Sequence, residues 1–225
     1  MQSPALDPGQ MELVAVTYVS DGLTFWAQDA DDEEVAERIG EQLETICQTA
    51  AAAHTLSADK VYAARYAEDQ CWYRCRVMHE MEKTVCVLFV DYGNSEEVER
   101  PLMEIPDSLQ QPSLAKRYQL WGITHTQSQQ GKDLLIDMIC GQHVSVCKRS
   151  VCFDGTLLVT ALRGQEDVGA ELTTLLANQA PPSTLSTNKA ASSILSTNKA
   201  ASSILSTNQA ASSILSANQC PPLLH

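Results

Sequence analysis

Half of the aromatic residues of this chain fall within residues 61–94: Tyr62, Tyr66, Trp72, Tyr73, Phe89 and Tyr92. Ring faces attract cations, and best a flat or methylated head that water hydrates weakly. Other chemistry is poorly represented. There is no G-x-S-x-G, no Gly-rich phosphate loop and no H-E-x-x-H. The five histidines are scattered without a cysteine or carboxylate partner at ligand spacing, and the eight cysteines form no C-x-x-C pair, so neither a metal nor another cofactor is expected. Reduced, mostly buried thiols are the expectation for the cysteines.

Short strands must position the rings. Apolar runs at 61–66, 72–78 and 85–91 alternate with turns at 67–70 and 80–83, and a Tyr92-Gly93-Asn94 turn follows. Gly93 and Asn94 tolerate the positive φ of a tight turn. Strands this short cannot bury a face alone, so they should curl into a small barrel. Trp72 and Tyr73 are neighbours and must face opposite sides. Trp72 is expected in the core, with Tyr73 facing out. Tyr62 is expected to be a core residue. Tyr66 ends one strand, while Phe89 and Tyr92 flank Asp91 at the end of another. Tyr66, Tyr73, Phe89 and Tyr92 should therefore meet at one end of the barrel.

Two motifs carry a resemblance. Asp69, Trp72, Tyr73, Arg74 and Val77 form D-x-x-W-Y-R-x-x-V, and residues 87–94 form V-x-F-V-D-Y-G-N. Together they resemble the Tudor domain. With TFWAQ at 24–28 and AKRYQLWG at 115–122, they resemble the N-terminal Tudor region of germline Tudor proteins that also carry a serine/threonine-kinase-like domain. The resemblance implies an aromatic cage of Tyr66, Tyr73, Phe89 and Tyr92, with a polar contact from Asn94, that holds a symmetrically dimethylated arginine. Asp91 and Gly93 would shape the turn, and Trp72 would be structural. The implied partners are arginine-methylated, Arg-Gly-rich peptides of PIWI-type proteins and other germ-granule proteins. The implied setting is cytoplasmic, including perinuclear germ granules. The kinase name implies no activity here, because the kinase motifs are missing. A scaffold that binds unmethylated partners through another face is the alternative, and RNA binding comes third.

The flanks read as follows. Residues 1–12 are expected to be a disordered lead, and 13–28 a hairpin around Ser20-Asp21-Gly22. Val35, Ile39, Leu43 and Ile46 recur at helical spacing, which predicts one amphipathic helix over 32–53. After the ring-bearing strands come a strand over 96–100, a barrel closure at 103–106 and a helical turn at 107–109. A strand over 118–123, a polar loop at 127–130 and a helix over 133–140 follow. Strands at 143–149 and 157–162, joined by a turn at 153–156, precede a helix over 168–176. Neither flank has enough strands to stand alone. Docked together, 13–28 and 113–176 would close a second barrel around the inserted core at about 58–110. That layout resembles the extended Tudor fold, a mostly β (α+β) arrangement with a staphylococcal-nuclease-like, OB-type barrel. From Ser186 a ten-residue unit, STNKAASSIL, recurs. Its one Ile-Leu pair per unit is too little to offset backbone ordering, so 177–225 is expected to be disordered.

The chain has 225 residues and a formal net charge of −13, and every Asp and Glu lies at or before Glu171. An acidic folded part argues against direct nucleic-acid binding and favours encounter with a basic peptide. No apolar run reaches the length of a membrane span, and the first residues do not read as a signal peptide.

Overall fold

The computed structural model describes residues 10–123 and 128–179. Two β-assemblies share the chain. The first is built from β1 (Met11–Val19), β2 (Thr24–Asp29), β8 (Lys116–Leu120), β9 (His143–Val151) and β10 (Leu157–Arg163). β1 pairs with β2, β2 with β8, β8 with β10, β10 with β9, and β9 returns to β1. That cycle closes a five-stranded barrel, and β8–β10 is its one parallel pair. A two-residue strand, β11 (Glu166–Asp167), extends β10. The interior is filled by Val14, Val16, Phe25, Tyr118, Val146 and Val159. Helices α2 (Gln129–Ile139) and α3 (Val168–Gln179) add Leu135, Ile139 and Leu172.

The second assembly is inserted between β2 and β8. It is an antiparallel sheet of β3 (Val61–Arg65), β4 (Trp72–Glu80), β5 (Thr84–Phe89), β6 (Ser95–Glu99) and β7 (Met103–Glu104), in the order β6-β5-β4-β3-β7. Tyr62, Ala64, Cys75, Val85, Val87 and Phe89 alternate along their strands and pack as its inner core. The Tyr62 hydroxyl, buried with the ring, accepts a hydrogen bond from the Ser57 amide at 2.9 Å. The expected fold, a discontinuous barrel closed around an inserted β core, is the one observed.

Helix α1 (Glu33–Ile46) links the two. Glu33 and Glu34 suit the positive end of its dipole, and Ile39 and Leu43 face inward against Val61 and Ala63. The helix ends well before the expected residue 53. Ala52 bridges Met103, the Ala53 amide donates to the Leu102 carbonyl, and the Glu104 amide donates to the Ala51 carbonyl. Alanines that would extend a helix are held instead as a sheet edge, because tertiary pairing outweighs local propensity.

Other boundaries also shift. Met11 and Glu12 belong to β1 rather than to a lead, paired with Cys147 and Val146. α2 starts at Gln129, inside the expected polar loop, because the Ser128 hydroxyl caps the Gly131 amide at 3.1 Å. α3 continues to Gln179, past the expected stop at 176. The repeats from Ser186 lie outside the described residues. Cys47, Cys75 and Cys147 are buried free thiols, Cys86 and Cys152 are half-buried and Cys71 is exposed, whereas Cys140 is disulfide-bonded, against the expectation of reduced thiols.

Trp72 and Tyr73 reverse the expected sides. Tyr73 shares the inner face of β4 with Cys75 and packs on the inner core. Trp72 lies on the outer face, against the cluster of Ile39, Leu43 and Val61, with the Arg65 guanidinium 4.9 Å from its ring centroid. The reason is α1, which covers the outer face, so neither neighbour points to open solvent. Trp72 is only half-buried. Trp72→Ala should therefore destabilise the protein by about 1.5–2.5 kcal/mol, roughly half the cost for a fully buried tryptophan. Urea denaturation measures it, and a loss above about 4 kcal/mol would contradict this placement.

Candidate ligand-binding site

The four rings predicted to converge do so. Tyr66 directly follows β3, Tyr73 lies near the start of β4, Phe89 ends β5, and Tyr92 stands in the turn after it. Ring centroids lie 6.2 Å apart for Tyr66–Tyr73, 5.5 Å for Tyr66–Phe89, 5.9 Å for Tyr73–Phe89 and 5.2 Å for Tyr73–Tyr92. Interplanar angles of 76–86° set every contacting pair edge to face. Phe89 is 1% exposed and Tyr66 8%, so they form the base, whereas Tyr73 and Tyr92 are half-buried and form the open sides.

Carboxylates anchor the phenols. The Tyr66 hydroxyl donates to Glu68 Oε2 at 2.9 Å, and the Tyr73 hydroxyl donates to Asp69 Oδ2 at 2.6 Å. Glu96 accepts from the Ala67 amide at 3.3 Å, and Glu44 on α1 accepts from the Trp72 amide at 3.0 Å. Burial pushes the Tyr66 and Tyr73 phenols well above their ordinary value, and the hydrogen bonds to Glu68 and Asp69 push the same way. Burial, then the Asp91 and Asp69 charges, pushes Tyr92 up to about 12. The three phenols are therefore neutral donors at physiological pH. Burial also raises Glu96, the Ala67 amide opposes that, and Glu68 and Asp69 reinforce it. A cation entering here meets ring faces and a rim of carboxylates in one place.

The turn that carries Tyr92 is held from beneath. Asp91 Oδ1 and Oδ2 receive Arg74 Nη2 and Nε at 2.5 and 2.8 Å, and Oδ1 also accepts from the Leu114 amide at 3.1 Å. Asp91 thus ties the turn to Arg74 through a buried ion pair rather than through the turn's own amides. Gly93 has φ +90°, and its amide donates to the Phe89 carbonyl at 2.7 Å. Asn94 is half-buried, and its carbonyl accepts from the Phe89 amide at 2.9 Å. Its side-chain amide makes no hydrogen bond among the described residues. Thr17 and Gln28 of the closed barrel also reach this turn, across 75 and 63 positions of sequence. Nothing in their local sequence signals that role. No cluster of His, Cys, Asp and Glu fit for a metal occurs among the described residues. None of the described helices is long and apolar enough to cross a membrane.

Residues 7–122 match the family model of the Tudor domain. The chain belongs to the Tudor-domain family. Over 172 residues it is 34% identical to mouse serine/threonine-protein kinase 31, an alignment covering 72% of this chain but only 17% of that protein. Among solved structures, it resembles the human TDRD1 extended Tudor domain in complex with a symmetrically dimethylated peptide. That likeness has a TM-score of 0.64 and 20% identity, over 80% of this chain and 93% of the other. The complex of Tudor with Aubergine carrying an R(me2s) residue gives a TM-score of 0.63 and 18% identity, over 72% and 99% of the two chains. At such identities the structures show the fold. It is the extended Tudor fold, a Tudor sheet inserted in a nuclease-like OB-type barrel.

Proposed function

We propose that this Tudor chain is a non-catalytic reader of symmetrically dimethylated arginine in Arg-Gly-rich peptides. Its partners are PIWI-type germline proteins, and it acts as a cytoplasmic adaptor in germ granules during small-RNA silencing and gametogenesis. The observation that carries the reading is the box of Tyr66, Tyr73, Phe89 and Tyr92, with phenols tied to Glu68 and Asp69. Methylation removes donors and hydration from a guanidinium but keeps its charge, which suits apolar ring faces more than it suits water. The Asn94 amide supplies an oxygen for a remaining N–H. Structures of the same fold that hold symmetrically dimethylated peptides support the reading.

Affinity should be in the micromolar range or weaker, because one side chain and few flanking contacts are engaged. Calorimetry with methylated and unmodified Arg-Gly peptides tests it. Tyr73→Leu is the informative variant, since leucine keeps apolar volume on the inner core while removing the ring face. It should weaken binding of the methylated peptide about tenfold, which is within the worth of one ring at a desolvated site. Equal binding of both peptides by the wild type would favour a scaffold that docks unmethylated partners.

A further inference from the structure

Among the four cage rings, Tyr92 has the fewest ring neighbours. Tyr66, Tyr73 and Phe89 each contact the other two, whereas Tyr92 contacts Tyr73 alone. It also stands in a turn rather than on a strand, so ladder hydrogen bonds do not fix its backbone. Within its own sheet the turn has the Tyr92 and Gly93 amides bonded to the Phe89 carbonyl. The outward carbonyls of Asp91 and Tyr92 are both taken by the other barrel.

Thr17 takes the second of them. β1 pairs Val16 with Ala27 and then Tyr18 with Trp26, which leaves Thr17 as the extra residue of a bulge. A bulge re-aims a side chain. Here the Thr17 hydroxyl lies 2.6 Å from the Tyr92 carbonyl and 3.2 Å from the Trp26 carbonyl, so its one proton serves the shorter bond. Gln28, on β2, is 2% exposed and donates its amide to the Asp91 carbonyl at 2.6 Å. A buried amide and a bulge hydroxyl thus grip two consecutive carbonyls of the cage turn.

We infer that Thr17 and Gln28 are positioning residues for the cage, placing the Tyr92 ring from the nuclease-like barrel. The role rests on the reader function proposed above. It makes methylarginine affinity depend on residues that never touch the ligand. The cage wall is pre-organised rather than assembled on binding, which avoids an ordering cost.

The test uses the full chain with Thr17→Val, Thr17→Ser and Gln28→Leu, the last two keeping a hydroxyl and side-chain volume respectively. Amide hydrogen exchange at Tyr92 and Gly93 is read on the free protein, and affinity is read with a symmetrically dimethylated and an unmodified Arg-Gly peptide. Thr17→Val and Gln28→Leu should speed Gly93 exchange and weaken the methylated peptide about tenfold while leaving the unmodified one unchanged. Thr17→Ser should behave as the wild type. If Thr17→Val binds the methylated peptide as tightly as the wild type, the inference is overturned, whatever Gln28→Leu does to folding. An equal loss for both peptides also overturns it, because a merely structural role would not change their ratio. If the wild type itself shows no methyl preference, the reader function fails first, and the unmutated arm identifies that case.

Discussion

Arg74→Met should destabilise the protein by about 3–5 kcal/mol, the usual cost of removing one partner from a buried ion pair. The Arg74 side chain is 0% exposed and that of Asp91 is 4% exposed. Every guanidinium N–H is used. Nε and Nη2 bond Asp91, Nη1 donates to the Leu109 and Gln111 carbonyls at 3.0 and 2.8 Å, and Nη2 also donates to Pro112 at 3.1 Å. Methionine fills much of the space but leaves a buried carboxylate without its counter-charge and three carbonyls without their donor. Arg74→Lys should fare little better, since an ammonium cannot reproduce the planar fork. Adding Asp91→Leu to Arg74→Met removes the orphaned charge and should recover part of the loss, though not the part owed to the carbonyls and to the Leu114 amide. Chemical denaturation of the wild type, Arg74→Met, Asp91→Leu and the double variant completes the cycle. A cost for Arg74→Met below about 1 kcal/mol would show that water replaces the guanidinium and that the node does not hold the turn.

How far the molecule is legible from sequence depends on the range of the deciding contacts. β3, β4, β5, β9 and β10 carry their own signal, because alternating apolar residues and intervening turns are local. Ring convergence is also legible, since Phe89 ends a strand and Tyr66 and Tyr92 stand just past strand ends that the hairpins bring together. The sides of Trp72 and Tyr73 are not. Both are large and apolar enough to be buried, and only the docking of α1 through Ile39 and Leu43 decides which face each takes. The early end of α1 escapes for a related reason. Residues 50–53 contain no helix breaker, and the strand partner of Ala52, Met103, lies 51 positions away. Arg74 stands inside a recognisable motif, but its five donors are satisfied mainly by backbone carbonyls, which have no sequence signature. Thr17 and Gln28 depend on how one barrel seats on the other, and no periodicity reports that.

Gly93→Ala should destabilise the protein by about 2–5 kcal/mol, and that cost is a measure of the seating between barrels. Two terms contribute. At φ +90° a side chain is strained, by about 1–2 kcal/mol. A Cβ at this position would also lie 2.1 Å from Trp26 Cγ and 2.3 Å from Cδ2, so the indole must move or the turn must lift. Overpacking of this kind adds about 1–3 kcal/mol. The indole is not free to swing, because its Nε1 donates to the Ser20 hydroxyl at 3.1 Å. Gly155 supplies an internal control. Its φ is +85°, almost the same, yet a Cβ there meets nothing within 4 Å. Gly155→Ala should therefore show the strain alone, and the difference between the two variants isolates the contact with Trp26. Adding Trp26→Ala to Gly93→Ala should return the second variant toward the cost of the strain, measured against Trp26→Ala as the parent. If Gly93→Ala and Gly155→Ala lose the same stability in urea, Trp26 yields without cost, and the two barrels meet at this turn more loosely than the distances imply.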